Sequence, residues 1–482
     1  MMEKLSNENY RLNYFNFKEI NDEYLITNDL GKFLFIDKDD MKNMIMQRFE
    51  DIEEEKIKLL KDKYFIYNDR DNFIEIASKE LNKTKSYLNQ GTQLHIFVLT
   101  TYCNLNCIYC QASTYNSIEE CRSNDKFMSK ETAEKAVDIA LQSPAVNLTF
   151  EFQGGEPLAN FEVLKHIVNY SKEKNKEYNK DIRYSLVSNL TLINEEMIAF
   201  LVDNNVGIST SIDGPEELHN INRAYLNGNS LNITKEKMKA INDVSRCDNM
   251  VQAIQTTSKF SLKYPKKIVD EYISLGMNTL FLRPLTPMGY AAKNWSKLGY
   301  TSDEYLEFYK IALDYIIEKA VEGVNIREGH ASILLKKILR NDPINYMELR
   351  SPCGGAIGQL AYNYDGNIYT CDEGRMLAEM GDESFKLGCV SNNNLKDLIK
   401  NPVCRTVAIS SCLEIIPGCE QCVYSPYCGV CPVCNYAQYN NLFAPNINSY
   451  RCKIYMGMME ILFEKIRENN DKIMKVFDNW SE

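Results

Sequence analysis

Apolar and polar positions along this chain fall into two alternating registers. Between residues 94 and 322, β-forming runs (HIFVLT, NLTFEF, IRYSLVS, VGISTSI, MVQAIQTT and NTLFLRP) each precede a stretch with apolar residues at helical spacing. Those stretches begin near Ser129, Phe161, Asn194, Ile233, Pro265 and Ser302. Six strand-then-helix units predict parallel strands joined by right-handed crossovers. Eight such units would close a barrel. Six predict an α/β fold, a partial (β/α)6 TIM-like barrel with its chemistry at the C-terminal strand ends.

The flanks read differently. YFNFKEI, EYLITN and FLFID are short β-rich segments separated by Asn21-Asp22 and Asp29-Leu30-Gly31, so they predict a three-stranded hairpin sheet. Met41, Met44, Ile45, Ile57, Leu59 and Leu60 then follow helical spacing, and the Lys- and Asn-rich stretch near 78–90 reads as a connector. Residues 345–452 are dominated by Cys, Gly, Pro, Asn and Tyr, a composition expected to bury little apolar surface and to need metal to fold. From Lys453 to about Val476, Ile454, Met458, Ile461, Leu462 and Ile466 predict one amphipathic terminal helix. The expected domains are a small α+β domain (1–90), the partial barrel (91–325), a bridging segment with the cysteine-rich extension (326–452) and the C-terminal helix (453–482).

Composition narrows the function. The 482 residues are 44% hydrophobic and 25% charged, ordinary for a globular chain. No apolar run approaches the roughly 18 residues of a membrane span. The polar start MMEKLSNENYRLNYF lacks a signal-peptide core, so a cytoplasmic location is expected. A net charge of −11 argues against a nucleic-acid partner. Sixteen cysteines against four histidines point to thiolate-ligated zinc or iron–sulfur sites. Three cysteines lie at Cys103, Cys107 and Cys110, and eleven follow residue 350.

Cys103-x3-Cys107-x2-Cys110 directly follows the first strand, with the aromatic Tyr109 before its last member. Three thiolates would leave one iron of a cubane cluster open, whereas a structural zinc site would want four. The motif and its placement resemble the radical S-adenosylmethionine (SAM) superfamily. That resemblance implies a [4Fe–4S] cluster that passes an electron into SAM, releasing a 5′-deoxyadenosyl radical that abstracts hydrogen from an unactivated C–H bond. It also implies SAM contacts from Gln153-Gly154-Gly155-Glu156-Pro157, Ser188, Asn189, Ser211 and Asp213, and from Arg223 as clamp on the methionine carboxylate. The glycines are expected to let backbone approach the ligand. His219 lies in the same segment, and Arg283-Pro284 reads equally well as structural.

Further on, Cys353, Gly366-x4-Cys371, Cys419-x2-Cys422-x5-Cys428-x2-Cys431 and Cys452 resemble the SPASM extension of radical SAM enzymes. The spacing departs from that pattern in having two residues, not three, between Cys428 and Cys431. The resemblance implies two auxiliary clusters, hence three [4Fe–4S] clusters in all. One would use Cys353, Cys371 and Cys431, and the other Cys419, Cys422, Cys428 and Cys452. The fourth position of the first stays open, to Cys389, to Cys434 or to substrate. By likeness to anaerobic sulfatase-maturing enzymes, Asp372 is the expected catalytic base, with a turn aspartate as the alternative. Cys121, Cys247, Cys404 and Cys412 carry no assigned role.

EYLITNDLGKFLFID and VYSPYCGVCP further resemble the maturases paired with His-Xaa-Ser repeat peptides. The implied activity is modification of a ribosomally made precursor peptide by C–C or thioether cross-linking. A leader would be bound by residues 1–90 through strand addition, and electrons supplied by a donor such as flavodoxin or ferredoxin. The alternatives are oxidation of a Ser or Cys in a protein substrate, or a non-catalytic iron–sulfur carrier.

Overall fold

The computed structural model describes residues 10–68, 71–112, 114–245, 250–444, 447 and 449–482. Cys247 lies outside them. Strands β1 (Asn16–Ile20), β2 (Glu23–Thr27) and β3 (Phe33–Asp37) form the expected antiparallel meander. Its alternation sends Ile26, Leu34 and Ile36 to one face, where they pack on Met41 and Met44 of α1 (Lys38–Ile45) and Leu60 of α2 (Glu54–Asp62). Phe33 and Phe35 take the other face and meet Phe463 at 5.2 and 6.4 Å between rings. The expected connector is instead a helix, α3 (Phe73–Thr84), followed by a 3-10 turn at Ser86–Asn89. Its Lys and Glu residues are good helix formers, and they also make ion pairs such as Lys79–Glu75 at 2.6 Å.

The barrel strands are β4 (Leu94–Val98), β5 (Asn147–Gln153), β6 (Asp181–Val187), β7 (Gly207–Ser211), β8 (Val251–Thr257) and β9 (Thr279–Pro284), all parallel and in sequential order. Six principal helices follow them: α4 (Lys130–Leu141), α5 (Phe161–Tyr178), α6 (Glu195–Asp203), α7 (Ser230–Ser245), α8 (Pro265–Ser274) and α9 (Ser302–Val321). Ser129 and Asn194 cap α4 and α6 through their side chains, and Thr301 with Glu304 closes a capping box on α9. In β5, Leu148, Phe150 and Phe152 are buried in the outer core, while Glu151 and Gln153 face inward.

The cysteine-rich segment departs from expectation. β10 (Gln359–Tyr362) pairs in parallel with β4, and β11 (Asn367–Tyr369) and β12 (Lys386–Cys389) continue the sheet antiparallel. With Arg327–Glu328 at the far edge, one ten-stranded sheet runs through barrel and extension. Leu360, Ala361, Tyr362 and Ile368 are fully buried, so this segment does bury apolar surface. Its apolar runs are only a few residues long, and β4 supplies the hydrogen-bonding edge that makes them strands.

Helices α10 (Gly329–Arg340), α11 (Asp372–Glu379) and α12 (Pro432–Tyr439) complete this part. The single terminal helix is two, α13 (Tyr450–Glu468) and α14 (Asp471–Ser481), broken where Asn469 turns left-handed at φ 48°. Among the described residues no helix is long and apolar enough to cross a membrane.

Candidate active site

The first cysteine loop is held at the mouth of the barrel by backbone pairing. Asn106–Cys107 forms a two-residue antiparallel bridge with Arg223–Ala224, and the Ile108 amide donates to the Asn222 carbonyl at 3.0 Å. This brings Arg223 Nη1 to 4.0 Å from Cys107 Sγ. The Cys103 amide donates to Tyr115 O at 2.9 Å, and Asn116 Nδ2 holds the Cys103 and Leu105 carbonyls at 3.1 and 2.8 Å. On the far side, Gly289 at φ +56° lies so close that a Cβ would sit 2.4 Å from Gln111 O, and the Tyr290 amide donates to Cys110 O at 2.8 Å. Burial, eased by Arg223, pushes the Cys107 thiol up to about 12. Its loss of a proton therefore awaits a cation or cluster.

Gly154 and Gly155 line the same cavity, of about 290 Å³, as the three thiols, Ser188, Asn189, Ser211 and Arg223. Their glycine requirement comes from the protein rather than from a ligand. A Cβ on Gly155 would lie 2.1 Å from Tyr102 O, and one on Gly154 2.3 Å from Thr100 O. The close approach lets the Gly155 and Glu156 amides donate to Thr100 O and Tyr102 O at 2.8 and 2.7 Å.

Two expected ligand contacts are turned inward instead. The Glu156 side chain is wholly buried and accepts from Leu158 N, Ser188 Oγ and Asn189 N at 3.0, 2.7 and 2.9 Å. It ties the ends of β5 and β6 together and does not reach the cavity. Burial raises its carboxyl to about 7. Asp213 is also fully buried. It accepts from Tyr109 OH at 2.6 Å, Asn222 Nδ2 at 3.1 Å and Thr256 N at 3.2 Å, and it pairs with Arg223 Nε at 3.2 Å. It is not among the residues that line the cavity. It aims Arg223, whose guanidinium also lies 5.3 Å from the Tyr109 ring. His219 Nδ1 accepts the Asp213 amide at 3.3 Å and is structural. Asn189 Nδ2 reaches Asn104 Oδ1 at 3.0 Å and Cys103 Sγ at 3.8 Å.

The opposite wall comes from the extension. Asp372, the expected base, is paired with Arg375 and is not part of the cavity lining. Its neighbour Glu373 lines the cavity instead, with Met376. Burial, reinforced by Asp372 and Glu348, raises the Glu373 carboxyl. Arg283 also lines the cavity and pairs with Glu348 at 2.5 Å. Glu348 further takes Tyr455 OH at 2.7 Å and Arg451 Nη1 at 3.3 Å. Burial alone would raise Glu348, but Arg283 and Arg451 hold it well below the ordinary range. Glu373, Glu348 and Arg451 carry no sequence motif of their own. Their only signal is adjacency to the cysteines at 371 and 452 and to the Arg350–Pro352 turn.

The later cysteines separate into two sets. Cys353, Cys371 and Cys431 lie within electrostatic reach of one another, with Cys434 beside Cys431. Cys419, Cys422, Cys428 and Cys452 line a second cavity of about 380 Å³. Cys431 and Arg451 line both cavities. The N-terminal sheet seals the second set: Asn16 Nδ2 donates to Glu420 O and Cys422 O at 3.1 and 3.2 Å, and Thr27 Oγ1 to Val423 O at 2.7 Å. Cys389 lies on the outer hairpin beside Gly366, and Cys121 and Cys404 are buried singly. All described cysteines are free thiols.

A parallel partial barrel with three thiols on the loop after its first strand is the architecture of a radical SAM enzyme. A family model described as the Radical SAM superfamily matches residues 97–254, so this part of the chain carries a radical SAM domain. That domain implies a [4Fe–4S] cluster and SAM, and the thiol loop and Arg223 fit them in donor chemistry and placement.

Among curated relatives, a cysteine-type anaerobic sulfatase-maturating enzyme of Clostridium perfringens is 25% identical over 76% of this chain and 94% of its own length. The radical SAM cyclopropyl synthase TigE of Paramaledivibacter caminithermalis is 24% identical over 97% of this chain and 91% of its own. Among solved structures, anSMEcpe with bound AdoMet superposes with a TM-score of 0.64 at 21% identity, over 80% of this chain and 99% of that one. SuiB of Streptococcus suis bound to S-adenosylmethionine gives 0.52 at 14% identity, over 89% and 96%.

Proposed function

We propose that this enzyme modifies a ribosomally synthesised peptide by cross-linking its side chains through C–C or thioether bonds, with two auxiliary [4Fe–4S] clusters taking up the surplus electron. The observation that carries this reading is the single cavity walled on one side by Cys103, Cys107 and Cys110 and on the other by Cys431 and Cys434. When bound, the first cluster and SAM supply a 5′-deoxyadenosyl radical that takes hydrogen from carbon. The chain's own residues do the rest. Arg223, aimed by Asp213, clamps a carboxylate. The glycine pair gives backbone a close face. Glu373, Arg283 and Arg451 set the polarity of the substrate end.

Cys419, Cys422, Cys428 and Cys452 hold the second auxiliary cluster. Four thiolates are the donor set that a closed cubane takes. The relative named as a cyclopropyl synthase, matched along nearly all of this chain, and the precursor peptide SuiA bound to SuiB support a peptide substrate.

The test is anaerobic reconstitution, addition of SAM and dithionite, and co-expression with candidate precursor peptides, a His-Xaa-Ser repeat peptide among them. A peptide mass loss of about 2 Da, the removal of two hydrogens, supports cross-linking. A product with aldehyde in place of Ser or Cys would establish the sulfatase-maturase-like reading, which the Clostridium perfringens relative favours. Absence of 5′-deoxyadenosine would leave only an electron carrier.

The leader-binding role of residues 1–90 is best tested in the intact chain, because their removal would uncover the Cys419–Val423 backbone. Slower amide exchange in β1 or β3 on adding a synthetic leader supports strand addition, and unchanged exchange refutes it. Electron delivery by flavodoxin or ferredoxin is tested by replacing dithionite with either protein.

A further inference from the structure

We infer that Cys434 is the fourth ligand of the first auxiliary cluster, so that this cluster is closed by Cys353, Cys371, Cys431 and Cys434 and serves as an electron acceptor without binding substrate. The inference rests on the auxiliary-cluster reading above and adds a ligand that the family spacing does not supply.

Three observations carry it. First, sulfurs of this set already accept backbone N–H groups, as cluster thiolates do: Cys353 from Gly355 at 3.4 Å, Cys371 from Gly374 at 3.3 Å and Cys431 from Cys434 at 3.5 Å. Second, Cys371 and Cys431 are the N-caps of α11 and α12, so two helix N-termini point their positive ends at one place. Third, Cys434 occupies the first turn of α12, three residues after Cys431, and lines the same cavity as Cys431. It packs in the same buried cluster as Cys371. The competing donor, Cys389, lies outside this group beside the Gly366 turn. A two-residue spacer between Cys431 and Cys434 on a helix start is what lets one short segment offer both sulfurs to one centre.

The test uses the full chain with Cys103, Cys107 and Cys110 changed to Ala, which removes the cluster whose iron is open by design. After anaerobic reconstitution with ⁵⁷Fe this parent should hold about eight irons, four per cubane. Mössbauer and EPR spectra are then compared with and without cyanide. The expected result is a parent spectrum indifferent to cyanide. Adding Cys434→Ala should make about one iron in eight distinct and cyanide-sensitive, or cost about four irons. Cys434→Ser should keep the iron with shifted g-values, which separates ligation from misfolding, and Cys389→Ala should match the parent. A parent that already binds cyanide, or a Cys434→Ala spectrum identical to the parent, overturns the assignment. Failure of the underlying reading looks different: about four irons in the parent, with none lost on Cys353→Ala.

Discussion

The Asp213–Arg223 pair offers a prediction that can be worked through from the structure. Asp213 is fully buried, and Arg223 is 11% exposed at its side chain. The Asp213 carboxylate accepts three hydrogen bonds, from Tyr109, Asn222 and Thr256, and forms an ion pair with Arg223. Asp213→Asn keeps the volume, removes the charge and turns one acceptor into a donor that must face another donor. Breaking a buried ion pair on one side costs about 3–5 kcal/mol, because the partner charge stays buried. Urea unfolding should therefore show a loss of about that size. Released from Asp213, the guanidinium should also drift from its place 4.0 Å from Cys107. SAM binding by the reconstituted enzyme should then weaken at least about tenfold, or 1.4 kcal/mol. Adding Arg223→Met to Asp213→Asn removes the stranded charge, so the double variant should be more stable than the sum of the singles by about 2 kcal/mol. A single-variant loss below about 1 kcal/mol, with additive behaviour in the cycle, would refute the reasoning.

Three other outcomes are expected. Gly155→Ala should cost about 2–4 kcal/mol and lower iron retention in the first cluster, since a Cβ 2.1 Å from Tyr102 O must break the Gly155–Thr100 and Glu156–Tyr102 hydrogen bonds beside Cys103; unchanged melting and iron content would count against it. His95 is fully buried in β4, and burial lowers its pKa to about 3. The unfolded chain therefore binds the extra proton between pH 6.5 and 3, and stability is lost as pH falls through that window. His95→Phe should flatten this acid limb by up to about 4–5 kcal/mol in pH-dependent denaturation; parallel curves would show His95 uninvolved. Glu373→Gln should lower product formation while sparing SAM cleavage, whereas Asp372→Asn should act mainly on stability through Arg375; product yield that follows Asp372 alone would restore Asp372 as the base.

Much of this was legible in the linear chain, for a physical reason. Repeated strand–helix alternation is local, and each parallel strand needs a covering helix, so six runs of β-formers gave six barrel strands in order. Cysteine spacing is equally local, and one loop of eight residues sets the donor chemistry by itself. The failures are long-range or conformational. Lys and Asn richness at 78–90 hid a helix. Asn469 in a left-handed conformation split one amphipathic pattern into two helices. The short strand near Leu360 gains a parallel partner from β4, more than 250 residues earlier, and the strand near Ile368 then pairs with it as a hairpin.

The order of bonding partners in the chain thus determined the class of fold and the chemistry available, because helix periodicity and thiol spacing are written within a few residues. Which polar side chains face the chamber was decided only by packing. Glu156 and Asp213 sit at strand ends where a ligand contact is natural, yet the structure spends them on protein donors. Arg283 reaches the cavity from the end of β9, whereas Glu373 and Arg451 reach it because the extension packs against the barrel, its sheet paired to β4. Cys434 shares a buried cluster with Cys371, some 60 residues earlier, because tertiary packing brings the start of α12 beside α11, which no local pattern announces.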